Sequence, residues 1–145
     1  MRVSGNADFS FGYAVLAEAL LKASRGSEGV VVVAEGLEAS GRNNDGEAKA
    51  ELWCIRGHLL LLQAQPGYEH EAENSFRQAI EIARHQQAKW WELRATVSLT
   101  HLLAKQNRRD EARAMLADIY NWFTEGFDTV DLREAKALLD DLAGR

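Results

Sequence analysis

The sequence predicts an all-α fold of three helical hairpins followed by one closing helix. Three observations point there. Apolar and small residues recur at three- and four-residue spacing through seven segments, two motifs repeat in register along the chain, and the composition is rich in Ala, Leu, Glu, Arg and Gln with one proline. Alternating Val/Thr/Tyr runs, the mark of half-buried strands, are scarce. At 145 residues the chain suits one domain with a sizeable core. The expected layout is a flexible start at 1–8 and a single helical-repeat domain at 9–145. Its hairpins fall at about 9–41, 47–87 and 88–123, and its closing helix at 130–143.

Met1 to Asp8 is polar and is expected to fray. From Phe9 to Ser24, Phe9, Tyr13, Leu16, Ala17, Leu20 and Leu21 form a helical stripe, with Glu18 and Lys22 set off it. Arg25-Gly26-Ser27 reads as a turn, with Ser27 expected as the N-cap of the next helix and Glu28 in its first turn. The segment EGVVVVAEGLEAS is ambiguous, because four consecutive valines suggest a strand. A lone strand would find no partner in this chain, so helix is expected there. Gly29 and Gly36 each weaken such a helix by about 1 kcal/mol relative to alanine, a cost acceptable where another helix packs closely. Gly41 to Gly46 is the clearest loop.

Ala50, Trp53, Gly57, Leu60 and Leu61 define a helix over Glu47 to Gln63, broken by Pro66-Gly67. Ala72, Phe76, Ala79, Ile80 and Ala83 define the next, over Glu71 to Gln87. Ala88 to Gln106, opened by Trp90 and Trp91, and Asp110 to Phe123 follow, joined at Asn107-Arg108. Adjacent tryptophans cannot share one helix face, so one is expected against the preceding hairpin and the other at a surface. Beyond a connector centred on Gly126, Leu132, Ala135, Leu138, Leu139 and Leu142 mark the closing helix, with Thr129 or Asp128 as its cap.

The hairpins share a spacing. Ala17, Gly29, Val33 and Gly36 recur as Thr100, Ala112, Leu116 and Ile119 at identical intervals, and as Gly57, Ala72, Phe76 and Ala79 with the first interval three longer. Upstream, Tyr13-x2-Leu16-Ala17-x2-Leu20, Trp53-x2-Arg56-Gly57-x2-Leu60 and Thr96-x2-Leu99-Thr100-x2-Leu103 repeat a second motif. Small residues on facing helices let backbones approach, and the bulky one fills the space between neighbouring hairpins.

This pattern resembles the tetratricopeptide repeat over about Phe9 to Phe123. It departs in Arg56, in Ile119, in the lack of a closing proline and in a period of 40 to 43 residues. The stretch from Ala83 to Leu142, above all YNWFTEGFDT-x-DL-x-EAK from Tyr120 to Lys136, is similar to the C-terminal region of large bacterial signalling proteins. Those join a nucleotide cyclase or DNA-binding output domain to a predicted ATPase and a tetratricopeptide tail. The sequence has no cyclase metal carboxylates and no Walker-type GxxxxGK[ST] loop, so the resemblance implies only a tetratricopeptide-like α-solenoid scaffold. It leaves open whether the chain is a fragment of such a protein or stands alone.

A formal charge of -5 and pI near 5.4 argue against a nucleic-acid partner, because phosphate contacts need clustered Lys and Arg. The start of the chain lacks a signal-peptide layout, and its apolar runs are too short to span a bilayer. Together with a single cysteine, Cys54, this gives a cytoplasmic protein with no membrane partner as the expectation.

Cys54, His58 and His101, with Glu18 as the equivalent in the first hairpin, are the one set with metal-like chemistry. The simpler expectation is polar side chains lining a groove, with no metal and no cofactor. No nucleophile has an identifiable base in the sequence, so no catalytic residue is expected. Glu71, Glu73, Asp110, Glu111, Asp140 and Asp141 read as solvated faces, and the aromatics as packing between helices. The first helix of each hairpin should line a concave face through Phe11, Ala14, Glu18, Glu51, Cys54, His58, Arg94, Val97, His101 and Lys105. A protein or peptide partner bound there is the leading expectation. A homodimer formed through the valine-rich first hairpin or an exposed tryptophan is the second, and a small-ligand or metal sensor the third.

Overall fold

The computed structural model describes residues 6–41, 46 and 48–144, with side chains described from Ser10 onward. It is all-α among those residues. Seven helices run in the order α1 (Asn6–Lys22), α2 (Gly26–Ala39), α3 (Lys49–Gln63), α4 (Tyr68–His85), α5 (Lys89–Lys105), α6 (Arg109–Tyr120) and α7 (Val130–Ala143). Residues 1–5 of the expected frayed start and 42–45 of the expected loop lie outside the described residues. Asn6 to Asp8, expected to fray, are the first residues of α1.

Each helix packs on the next in sequence. In addition α1 meets α3, α3 meets α5 and α5 meets α7 with Cα atoms within 8 Å, whereas α2, α4 and α6 do not approach one another that closely. The odd-numbered helices therefore form an inner row and the even-numbered ones an outer row that is splayed apart.

Glycine sets these distances. A Cβ on Gly36 would lie 2.7 Å from the Tyr13 Cβ, one on Gly29 would lie 2.6 Å from the Leu59 Cδ2, and one on Gly57 would enter the Phe76 ring. The valine-rich segment is thus a helix because its glycine face lets α1 and α3 close on it. That burial outweighs the propensity cost of two helical glycines. Val33, beside them, is fully buried.

The turns repeat as well. Ser24, Gln87 and Asn107 have φ of 60°, 56° and 64°. After each, the next amide donates back into the preceding helix: Arg25 to the Leu20 carbonyl at 2.8 Å, Ala88 to the Ala83 carbonyl at 2.8 Å, and Arg108 to the Leu103 carbonyl at 2.9 Å. This is the Schellman closure, usually made by glycine at the left-handed position. Ser27 is consequently not an N-cap. The closure carries the chain directly into α2 at Gly26, with Arg25 at the cap and its guanidinium on Glu28 at 2.5 and 2.7 Å. Gln87→Gly is expected to raise stability by about 1 kcal/mol, since a non-glycine residue in this conformation carries a steric penalty of that size. Equilibrium urea unfolding checks it, and an unchanged or lower midpoint would contradict the turn assignment.

At the far end, Thr129 caps α7 by accepting from the Leu132 amide at 3.4 Å. Leu132 and Ala135 are buried against Leu93, Leu116, Ile119 and Phe123. Trp91 packs on Ala50, Ile82 and Ala83 of the preceding pair, while Trp90 is 43 % exposed and lies 4.7 Å from the Phe123 ring.

The acidic faces are exposed as expected except at Glu73, which is half-buried, and several of their carboxylates are ion-paired. Glu73 and Glu111 are both bound by Arg77 and Arg108, which ties α4 to α6 where their backbones stay apart. The two guanidinium groups hold both carboxyls below their ordinary range. Glu71 receives Arg56 at 3.4 Å and Asp140 receives Lys136 at 2.8 Å.

Candidate functional site: a groove along the inner helices

One cavity of about 390 Å³ draws its lining from all four inner helices. Glu18 and Leu21 come from α1, Glu51, Cys54, Ile55 and His58 from α3, and Trp91, Arg94, Val97, Ser98 and His101 from α5. Asp131 and Glu134 come from the start of α7. The helical period produces this directly. Glu51, Cys54, Ile55 and His58 lie at three- and four-residue steps, as do Trp91, Arg94, Val97, Ser98 and His101, so each set shares one face.

Glu18, Glu51, Cys54, His58, Arg94, Val97 and His101, expected on a common face, therefore line one cavity. Three other residues do not. Phe11 is 40 % exposed at the opposite end of α1, Ala14 is buried in the core at 1 %, and Lys105 lines a separate hollow beside Leu60, Pro66 and Tyr68. The groove runs obliquely, from the C-terminal half of α1 to the N-terminal turns of α7. Residues in equal register on successive helices therefore sit at different depths along it.

Ser98 stands at the centre. His58 Nε2 lies 2.8 Å from its hydroxyl and Cys54 Sγ 3.7 Å from it. Burial, with His101 nearby, lowers the His58 pKa, so its imidazole is neutral at pH 7. Burial also pushes the Cys54 thiol up to about 11 against the opposing hydrogen bond from Ser98, which keeps it protonated. His101 turns the other way, 3.3 Å from the Glu134 carboxylate. Among the described residues no group of three His, Cys, Asp or Glu side chains is placed to hold a metal ion.

A hydroxyl 2.8 Å from a neutral imidazole is a nucleophile–base pair by distance, and no motif marked it in advance. Among the described residues, however, no carboxylate is bonded to the other ring nitrogen of His58. The backbone N–H groups around Ser98 lie inside α5, bonded along the helix and not directed at the cavity.

Charge is distributed unevenly. Arg94 stacks on Trp91 at 5.2 Å and donates to Asp131 at 3.1 Å. Glu51 has no bonded partner among the described residues; burial, then the Glu18 carboxylate, raises its pKa against the pull of Arg94. The groove thus holds four carboxylates against one guanidinium, with apolar walls at Leu21, Ile55, Trp91 and Val97.

No family model, curated protein or solved structure matches the chain. No helix among the described residues is long and apolar enough to cross a membrane.

The shifted histidine gives a pH prediction. The His58 pKa lies below its ordinary 6.5 in the folded state, so the unfolded chain takes up a proton there first. Stability is full above about pH 6.5 and falls as pH drops below it. Glu73 and Glu111 act in the same direction but only below about 4.5. Thermal melting at pH 7 and at about pH 5.5 should show a decrease that His58→Gln removes. An equal decrease in the variant would contradict the assignment.

Proposed function

We propose that the chain is a non-catalytic, tetratricopeptide-like helical-repeat scaffold that holds a segment of a protein or peptide partner along the inner groove. The observation that carries this reading is the groove itself, to which the same face of α1, α3 and α5 contributes, with α7 closing the row. A surface built by repetition takes an extended ligand in the way stacked repeats do. Its one carboxylate without an ion-pair partner, Glu51, favours a segment carrying lysine or arginine, with apolar residues on either side of the charge. The resemblance of the C-terminal half makes the regulatory tail of a bacterial ATPase- or cyclase-type signalling protein the setting for this role, and the cytoplasm its compartment.

The test uses three fluorescent nonapeptide libraries with arginine, glutamine or glutamate fixed at the centre, titrated with the full chain and read by anisotropy. The arginine library should bind tightest, and Glu51→Gln should weaken it about tenfold, corresponding to about 1.4 kcal/mol. Binding indifferent to the central charge would remove the selectivity. Binding indifferent to Glu51→Gln would remove the groove.

A further inference from the structure

A second hollow, of about 760 Å³, lies where the turn from α4 to α5 meets the end of α6. Trp90, Trp91 and Trp122 wall it, and Arg84 and Lys89 are the charged residues of its lining. Each indole is held by the core behind it. Trp91 packs on Ala50, Ile82 and Ala83, while Trp90 and Trp122 both rest on the Phe123 ring, at centroid distances of 4.7 and 5.1 Å. Both keep open surface, for Trp90 is 43 % and Trp122 57 % exposed. Aromatic surface that is already fixed and still uncovered lets a partner side chain dock without ordering the wall first.

The two cations are only partly neutralised. Glu92, at 4 % exposure, accepts from Arg84 Nε at 2.9 Å and from Lys89 Nζ at 3.2 Å. Two positive charges thus share one buried carboxylate, which leaves the hollow a net positive charge in a chain of formal charge -5. The terminal nitrogens of Arg84 have no acceptor among the described residues, and its side chain is 52 % exposed. Lys89 Nζ stands 5.5 Å from the Trp122 ring centroid, so charge and indole face the same space. Trp91 lines this hollow and the inner groove alike, and the two differ in sign, carboxylates prevailing in the groove and cations here.

Charge and shape together select the occupant. Two cations already sharing one carboxylate suit a single further carboxylate and fall short of what a di- or triphosphate needs. The indole walls offer a place for a flat apolar side chain directly beside that carboxylate. We propose that this hollow docks a partner segment in which an aromatic residue adjoins Asp or Glu, its ring against Trp90 and Trp122 and its carboxylate on Arg84 and Lys89.

The inference does not rest on the groove reading, and its test separates the two. Fluorescent, end-capped heptapeptide libraries with Phe-Glu, Phe-Gln, Phe-Lys or Ala-Glu fixed at the centre are titrated with the full chain and read by anisotropy. Phe-Glu should bind tightest, and only the two glutamate libraries should lose affinity as ionic strength rises. Trp122→Ala, at an exposed position, and Lys89→Gln should each weaken Phe-Glu binding about tenfold with an unchanged circular dichroism spectrum. Glu51→Gln should leave it unaltered, and Trp122→Ala should leave the arginine-centred library bound as before. Phe-Glu bound no tighter than Phe-Gln, or bound equally by the Trp122→Ala chain, would overturn the proposal. Loss of Phe-Glu binding in Glu51→Gln would move the peptide to the groove and overturn it too. So would a reversible dimer of the native chain that Trp122→Ala abolishes, since a second copy would then be the occupant.

Discussion

Gly57→Val is expected to destabilise the protein by about 3 kcal/mol, the upper part of the range for overpacking a filled core, and to lower the melting temperature by roughly 10 °C. The cause is local. Any Cβ at Gly57 enters the ring of Phe76, which is itself fully buried and in edge contact with His58 at 5.0 Å. The ring cannot retreat, because Ala72, Ala79, Leu99 and Leu103 share its cluster. Intrinsic helix propensity would favour the substitution by several tenths of a kcal/mol, so the sign of the result decides between propensity and packing. Gly12→Ala is the control, since nothing lies within 4 Å of the added atom, and it should stabilise by about 1 kcal/mol. Denaturant unfolding of both variants measures the contrast. Two shifts of the same sign would contradict the close approach of α3 and α4.

Deleting Thr129 to Arg145 is expected to abolish cooperative folding or to cause aggregation. The deletion removes the buried side chains of Leu132, Ala135 and Leu142, and it uncovers Leu93, Leu116, Ile119 and Phe123. Burying a large apolar side chain contributes about 1.5–3 kcal/mol. Losing the two leucines and uncovering four further residues therefore approaches the whole stability of a domain, about 5–15 kcal/mol. Leu132→Asp tests the same contact within the full-length chain, through a charge placed where no water reaches. A truncated form that remains soluble with an unchanged melting profile would show that α7 does not close the end of the row.

The all-α class was legible because the apolar period of 3.6 persists through seven segments. The four valines of α2 did not mislead, because a lone strand would have had no partner; Gly29 and Gly36, read as weakening that helix, fall on the face where α3 and α1 close in. The turns were legible in position, as at Asn107-Arg108 between α5 and α6, but not in their closure. Their left-handed positions hold Ser24, Gln87 and Asn107 rather than glycine, so the Schellman closure left no mark, and Ser27 looked like a cap that the backbone never needed.

The groove was legible as a helix face and illegible in its extent. Ser98 and Trp91 complete the period already visible in Arg94, Val97 and His101, one step inside and one turn before. Asp131 and Glu134 were assigned only to a closing helix, because a single helix offers no second copy from which to read register. Phe11 and Lys105 were included because equal register was equated with equal depth. Inner helices that follow an oblique groove do not preserve that equality.

The most direct test of the central claim is amide chemical-shift mapping of the full chain, isotope-labelled and titrated with the arginine-centred peptide library. The expected result is a continuous set of perturbed amides on one face of α1, α3, α5 and the first turns of α7, centred on Glu51, Cys54 and Ser98, with α2, α4 and α6 unaffected. Perturbations confined to the outer helices, or a spectrum unchanged at saturating peptide, would contradict it.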